Sequence, residues 1–296
     1  MDDTPMVTTD TSSKAVFGTP SLSSDDLHSL STFIHEECGI KMPLSKRVML
    51  ESRLQKRLRA LSINSFRDYC EYLFSDEGKS SELTHCIDAI TTNKTDFFRE
   101  RSHFEYLVLR ALPALISSYG GSIRKLLTVW SAGCSTGEEP YTLAMVLSEF
   151  AGIRPGFDFS ILATDISTRV LEKARLGIYP QESVSPVPEE LKSKYLLRSK
   201  DSRKGLVRIV PWLRQKITFQ KLNFMDNHFN LRDKIDVIFC RNVIIYFDRP
   251  MQEQLMDKFC RHLTPGGYLF LGHSETLNGM DLPLVSVAPT IYKMPK

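Results

Sequence analysis

No apolar run in this chain approaches the ~20 residues needed to cross a bilayer. The opening Met1-Asp2-Asp3-Thr4-Pro5 is acidic and polar, unlike a secretory signal, so a cytoplasmic location without membrane insertion is expected. Cysteines are few, six in all (Cys38, Cys70, Cys86, Cys134, Cys240 and Cys260), and none forms Cys-x-x-Cys. Buried reduced thiols are therefore expected rather than a disulfide framework. No His/Cys cluster has zinc spacing, and no metal is expected. A strong excess of one charge is missing too. The formal net charge is +3, too small to mark a nucleic-acid binder by itself. The dinucleotide fingerprint Gly-x-Gly-x-x-Gly and the hydrolase elbow Gly-x-Ser-x-Gly are both absent. His273-Ser274-Glu275 has the residue types of a hydrolase triad, but triad members meet through the fold and seldom as sequence neighbours.

What is present suffices for one large or two modest domains, since 296 residues bury substantial cores. Residues 1–20, rich in Thr, Ser, Asp and Pro, predict a disordered tail. Residues 21–90 predict a helical domain. Leu27, Leu30, Ile34 and Cys38 keep a helical period between a cap at Ser23 or Ser24 and a stop at Gly39. A second helix from about Ser45 puts Leu50, Leu54, Leu58 and Leu61 on one face. Phe66, Tyr69, Cys70 and Leu73 mark a third, and Leu83, Cys86, Ile87 and Ile90 a fourth. Residues 91–120 read as a linker and a connecting helix, about His103 to Tyr119.

From 121 to 296 short apolar strands alternate with helices. The strands are Leu126–Ser131, Asp158–Asp165, Ile235–Arg241 and Tyr268–Gly272. The helices are Pro140–Phe150, Thr168–Leu176, Pro188–Leu197 and Pro250–Leu263. That alternation implies an α/β fold with a mostly parallel sheet covered on both faces. Gly205–Pro211 and Gln215–Leu222 read as extended pieces with no helix between them, predicting a small antiparallel β insert at about 203–222. Leu284–Val287 and Thr290–Met294 flank Pro289 like a hairpin, predicting an antiparallel last strand.

The first strand runs into Gly133-Cys134-Ser135-Thr136-Gly137-Glu138-Glu139, and a helix opens at Pro140. Small residues let a ligand approach the backbone closely, at the place where open α/β sheets bind ligands. The loop carries carboxylates and no lysine, which argues against a bare anion. S-adenosylmethionine, with ribose hydroxyls, a sulfonium and an ammonium, suits it better. Asp165, ending the second strand, stands where an acid commonly meets ribose hydroxyls, which is favoured over its service as an acid at the start of the following helix. Asn223-Phe224 follows another strand, where an amide could read an adenine edge and a ring cover its face, though Asn often simply ends a strand. Arg241-Asn242 ends an apolar strand at the ligand crevice. Tyr246 either sets a hydroxyl near a reacting centre or is an ordinary half-buried tyrosine. Thr91-Thr92-Asn93-Lys94-Thr95-Asp96-Phe97-Phe98-Arg99-Glu100 is either a capped helix start with an apolar anchor or a lid folding Asn93, Thr95 and Arg99 over a ligand. Along the second helix Lys46, Arg53, Lys56 and Arg57 lie mainly to one side of the leucine face, a basic stripe suited to an acidic partner.

Taken in order, Thr91-Thr92-Asn93…Thr95…Phe97-Phe98-Arg99-Glu100, Ser135-Thr136-Gly137-Glu138-Glu139-Pro140-Tyr141, Ala163-Thr164-Asp165-Ile166, Phe239-Cys240-Arg241-Asn242-Val243…Ile245-Tyr246-Phe247 and Gly272-His273-Ser274-Glu275 resemble the CheR family of chemotaxis receptor methyltransferases, over nearly the whole chain from about residue 25. The resemblance implies a Rossmann-like methyltransferase domain behind the helical one. It implies S-adenosylmethionine contacts at Asn93, Thr95, Arg99, Glu139, Asp165, Asn223, Phe224, Arg241 and Asn242, with Arg99 and Tyr246 near the transferred methyl and S-adenosylhomocysteine as product. It also implies that the basic stripe docks on the cytoplasmic helical region of receptors, whose glutamates are methylated in sensory adaptation. In some members the β insert binds a receptor C-terminal peptide. Two rivals stand beside this reading. One is a methyltransferase for nucleic acid or another protein, although the Asn/Asp-Pro-Pro-Tyr/Phe loop common in amine methylation is replaced here by Arg241-Asn242-Val243-Ile244. The other is a non-catalytic cofactor-binding signalling module.

Overall fold

The computed structural model describes residues 20–118, 126–231 and 233–296. The expected tail lies outside them apart from Pro20, as does the end of the connecting helix at Tyr119. The first described element is α1 (Ser24–Cys38), where the Ser23 hydroxyl accepts from Asp26 N–H and Gly39 ends the helix in the left-handed region. A 3₁₀ turn (Leu44–Lys46) leads into α2 (Arg47–Leu61), followed by α3 (Phe66–Phe74), α4 (Asp76–Ser81) and α5 (Leu83–Ile90). Leu27, Leu30, Leu50, Leu54, Leu58, Tyr69, Leu73 and Ile90 are buried together in one core. Helix α4 has no apolar face and so left no periodic signal.

The connecting helix starts as α6 (Arg101–Tyr106), widens into a π turn over Leu107–Ala111 and resumes as α7 (Leu112–Ser118). Pro113 offers no N–H to the preceding turn, a local reason for the irregular ladder. The sheet domain then runs β1 (Leu127–Ala132), α8 (Glu138–Ile153), β2 (Phe159–Asp165), α9 (Thr168–Leu176), β3 (Ile178–Pro180), α10 (Glu189–Tyr195), β4 (Leu196–Arg198), β5 (Leu206–Ile209), α11 (Pro211–Arg214), β6 (Ile217–Lys221), β7 (Ile235–Cys240), α12 (Arg249–His262), β8 (Leu263–Leu271), β9 (Val285–Ala288) and β10 (Ile291–Lys293).

Among the described residues seven strands form one sheet in the order β6-β2-β1-β7-β8-β10-β9. It is parallel from β6 through β8, and β10 runs antiparallel to β8 and β9. Strand β7 is buried at every residue, as a central parallel strand covered on both faces must be. Its one charged group, Asp236, accepts from Thr128 N–H (2.9 Å) and the Thr264 hydroxyl (3.2 Å). Helix α8 and the connecting helix cover one face, and α12 covers the other.

The expected insert at 203–222 needs correction. The small antiparallel sheet is β3-β5-β4, within residues 178–209. Gln215–Leu222 instead supplies β6, a parallel edge strand of the main sheet paired with β2, and the one-turn α11 separates the two. Alternating apolar residues show that a segment is a strand, but the partner it pairs with is decided by the fold.

The chain runs outward from β1 through β2 to β6, then returns to β7 on the other side of β1. A topological switch point therefore lies between the carboxyl ends of β1 and β7, where such sheets bind ligands. The helical domain is pinned across this edge. Thr168 Oγ1 donates to Asp88 (3.0 Å), Arg169 to the Asp88 carbonyl (2.6 Å), Asn223 to the Glu37 carbonyl (2.7 Å), and His35 bonds Asp248 (2.7 Å). Among the described residues no helix is long and apolar enough to cross a membrane.

Candidate active site

A cleft opens at the switch point between the sheet edge and the helical domain. Asn93, Thr95, Arg99, Glu139, Asp165, Asn223, Phe224, Arg241, Asn242 and Tyr246 all line it, so the expected cofactor and catalytic residues are brought together. The loop after β1 makes room by tight turning: Gly133 has φ +86°, and a Cβ there would meet Val243 at 2.5 Å. Gly133 and Cys134 N–H both donate to the Thr164 carbonyl, tying the loop to β2.

Asp165 is fixed by two backbone donors, Ser135 N–H on Oδ2 (2.8 Å) and Ser167 N–H on Oδ1 (3.0 Å). Burial pushes its carboxyl up, against the pull of the Ser167, Ser135 and Ile166 N–H groups. A carboxylate offers about four acceptor sites, so both oxygens keep capacity for ligand hydroxyls. Glu139 is held by the Ser131 hydroxyl (2.7 Å) and Arg241 Nε (2.7 Å). Its neighbour Glu138 turns away to Thr136, and burial raises its carboxyl.

Arg241 reaches the cleft as the hub of a buried network. Besides Glu139, its Nη1 donates to the Arg99 carbonyl (2.8 Å), Glu100 Oε2 (3.2 Å) and His103 Nδ1 (3.3 Å), and the guanidinium stacks over Phe104. Since Nδ1 accepts from a cation, Nε2 carries the proton and donates to Thr290 Oγ1 (3.0 Å). Burial and Arg241 lower His103 to about 4. Glu100, His103 and His273 bring ligand atoms within 4.8 Å of one another. The Arg241 cation already sits on that group, which suits a charge network better than a metal site.

Other side chains lining the cleft are less committed. Among the described residues the Arg99 side chain donates only to the Lys94 carbonyl (3.3 Å). It belongs to a segment in which Phe98 and Glu100 hold positive φ while Phe97 is buried against Tyr179. The Tyr246 hydroxyl has no hydrogen-bond partner among the described residues, and its ring faces Lys46 Nζ at 5.4 Å. Burial and Arg53 hold the Lys46 ammonium below its ordinary value.

Several expectations change in detail. The Asn223 amide is already engaged, by the Glu37 carbonyl and by Met225 N–H (3.0 Å). Phe224 packs edge-on against Phe229, Phe247 and Phe259 and shows only part of its ring to the cleft. The basic stripe divides. Lys46 lines the cleft mouth and Lys56 is exposed. Arg53 caps the Ile90 and Thr91 carbonyls (2.6 and 3.0 Å), and Arg57 grips buried Glu82 with two bonds (2.9 and 2.6 Å). Ile40 and Met42 also line the cleft and were missed, because the link between α1 and α2 carries no periodicity. Ser131, Glu100 and His103 were missed as braces. Their signal is only that Glu100 closes the Phe97-Phe98-Arg99-Glu100 block.

Two family models match the chain: "CheR methyltransferase, all-alpha domain" over residues 25–91 and "CheR methyltransferase, SAM binding domain" over residues 93–292. A chemotaxis protein methyltransferase of Borreliella burgdorferi is 40% identical over 273 residues, covering 92% of this chain and 95% of that protein. One from Klebsiella aerogenes is 40% identical over 275 residues, covering 93% and 91%. The Escherichia coli protein of the same name is 37% identical over 275 residues, covering 93% and 92%. The carboxylates, amides and apolar surfaces of the cleft fit a cationic, hydroxylated ligand with a flat ring, as S-adenosylmethionine is. The chain belongs to the CheR methyltransferase family and is an S-adenosylmethionine-dependent methyltransferase.

Proposed function

We propose that this enzyme methylates glutamate side-chain carboxylates on the cytoplasmic helical region of chemotaxis receptors, acting in the cytoplasm and without a metal. The observation that carries the reading is the chemistry of the acceptor side. Arg99, Lys46 and Tyr246 line the cleft, and among the described residues lining it there is no histidine. A glutamate with pKa near ~4.3 is ionised at neutral pH and needs no general base; it needs alignment and partial desolvation. When bound, S-adenosylmethionine supplies a methyl on a sulfonium sulfur, which departs as neutral S-adenosylhomocysteine while a carboxylate oxygen takes the methyl. No proton moves.

Asp165 and Glu139 bind and orient on the sheet side, where their own partners keep them rigid. Phe224 and Ile166 offer apolar surface. Arg99 steers the incoming carboxylate with its unused N–H groups, and Tyr246 donates one hydrogen bond to it. Most of the gain is proximity and orientation. Because the acceptor's charge is neutralised during transfer, an ion pair that was too tight would favour the ground state and slow the step. Lys46 and Lys56 on the exposed side suit an acidic helical partner. Ile178, Leu197 and Arg208 share one row on the exposed face of the insert, which supports a second contact there with a receptor C-terminal peptide.

The test is incubation with methyl-labelled cofactor and a receptor cytoplasmic fragment, followed by mild base. Release of the label as methanol supports a glutamate ester. Label that survives base, as on an amine, would refute it.

A further inference from the structure

The Gly272-His273-Ser274-Glu275 block has no assigned part in binding or transfer, yet it holds one of the most densely used carboxylates in the molecule. Glu275 is 4% exposed. Its Oε2 accepts from Gly272 N–H (2.7 Å) and Asn242 N–H (2.8 Å). Its Oε1 accepts from Val243 N–H (2.8 Å) and more weakly from Ile245 N–H (3.4 Å). Three of these donors belong to the turn that leaves β7, so one side chain from beyond β8 satisfies most of that turn's backbone.

The turn needs such a brace. Asn242 has φ +59°, a left-handed conformation that is costly for a residue with a side chain. The two loops also approach closely: a Cβ on Gly272 would lie 2.5 Å from Asn242 Nδ2, so the contact exists only because residue 272 is glycine. Immediately downstream the 3₁₀ turn Ile244–Tyr246 carries the Tyr246 ring into the cleft. Its far end is tied to the helical domain by Lys41 N–H on the Tyr246 carbonyl (2.9 Å).

We propose that Glu275 is a positioning residue for methyl transfer, setting Asn242 and Tyr246 in the cleft through the backbone of the Asn242–Ile245 turn. It touches neither cofactor nor acceptor in this role. The inference rests on the transfer reading of the cleft above, and on Tyr246 serving the acceptor. A carboxylate suits the task because it only accepts. Glutamine has nearly the same volume but would turn an NH2 group against two of the four N–H donors.

The experiment compares Glu275→Gln with Asp236→Asn, a second buried carboxylate that braces β7 away from the cleft. Thermal midpoints are measured for both. Single-turnover rates are then measured at saturating S-adenosylmethionine and receptor fragment, so that changes in binding drop out. Misplacement of a reacting group by an ångström costs on the order of 100-fold, and a loss of at least about tenfold is expected for Glu275→Gln, with Asp236→Asn keeping its rate within about twofold at a similar midpoint. A smaller loss, or an equal one in Asp236→Asn, would overturn the proposal. Should Glu275→Gln fail to fold, amide exchange on the wild type decides: slow exchange at Asn242 and Val243 is expected, and exchange as fast as in an open loop overturns it. A wild-type enzyme that leaves the receptor unlabelled would refute the acceptor reading instead, with the exchange result still deciding for Glu275.

Discussion

Some of the side chains that line the cleft are fully engaged with other groups of the protein; others largely are not. Arg241, Glu139, Glu100 and His103 close on one another in a buried network, and Asp165 is fixed by two backbone donors. Among the described residues the Arg99 side chain has a single carbonyl partner and the Tyr246 hydroxyl has none, while Lys46 rests over a ring and makes one long bond to the Lys41 carbonyl (3.5 Å). The contrast suits the proposed division of labour. Groups locked in place can bind a cofactor without reorganising, and the proposed acceptor carboxylate would be met by the hydrogen-bond capacity left unspent.

The comparison breaks most severely if the network on the sheet side is opened. Arg241→Ala strands Glu139 and Glu100 without their cation, which for a buried pair costs about 3–5 kcal/mol; urea unfolding should show a loss of that size. Arg57→Glu should cost a similar amount, because Glu82 beneath it is buried with a side-chain exposure of 2%. It would act through stability and not through docking. On the looser side the effect should move from stability to rate. Arg99→Ala is expected to cut single-turnover rate on the order of 100-fold by releasing the carboxylate's alignment, while its unfolding midpoint stays near wild type.

Acidification sharpens the same contrast at lower amplitude. His103 is held at about 4 by burial and by Arg241, with Glu100 pulling the other way and His273 adding to the depression. An unfolded histidine titrates near ~6.5, so between there and about 4 the unfolded chain takes a proton that the folded one refuses. This contribution is intact above the upper value and is lost as pH falls through the window, at up to ~1.4 kcal/mol per pH unit. His103→Gln should therefore lose less stability than wild type between pH 7 and pH 5 in urea titrations. The smallest effect is expected at exposed Lys56. Lys56→Glu should leave stability within about 0.5 kcal/mol and raise KM for the receptor, most visibly at low salt, since such charges are screened within ~8 Å at physiological ionic strength.

The division of the cleft explains what the sequence could and could not disclose. Helix α9 spans the expected Thr168–Leu176 and ends on Gly177 in the left-handed region, and Ser23 and Gly39 close α1 as their types require, because these signals are local. Asp165 and the glycine-bearing loop were legible because the end of a strand before a helix is a recognisable place. Partner choice was not legible. Whether Gln215–Leu222 joins the insert or the main sheet, whether Arg57 faces a receptor or Glu82, and whether the Asn223 amide is open to a ligand all depend on residues 25 to 186 positions away. Glu275 lay in a motif that was visible, but its work is done on backbone N–H groups, which leave no trace in residue types.

The most direct test of this division is calorimetric titration of S-adenosylmethionine into Asp165→Ala and Tyr246→Phe beside wild type. Loss of hydrogen bonds to a charged group should weaken binding to Asp165→Ala by about 1.5–3 kcal/mol. Tyr246→Phe, which keeps its ring and loses one hydroxyl proposed to serve the acceptor, should bind as wild type does. Unchanged affinity in a folded Asp165→Ala, or weakened affinity in Tyr246→Phe, would contradict the proposed division between cofactor and acceptor groups.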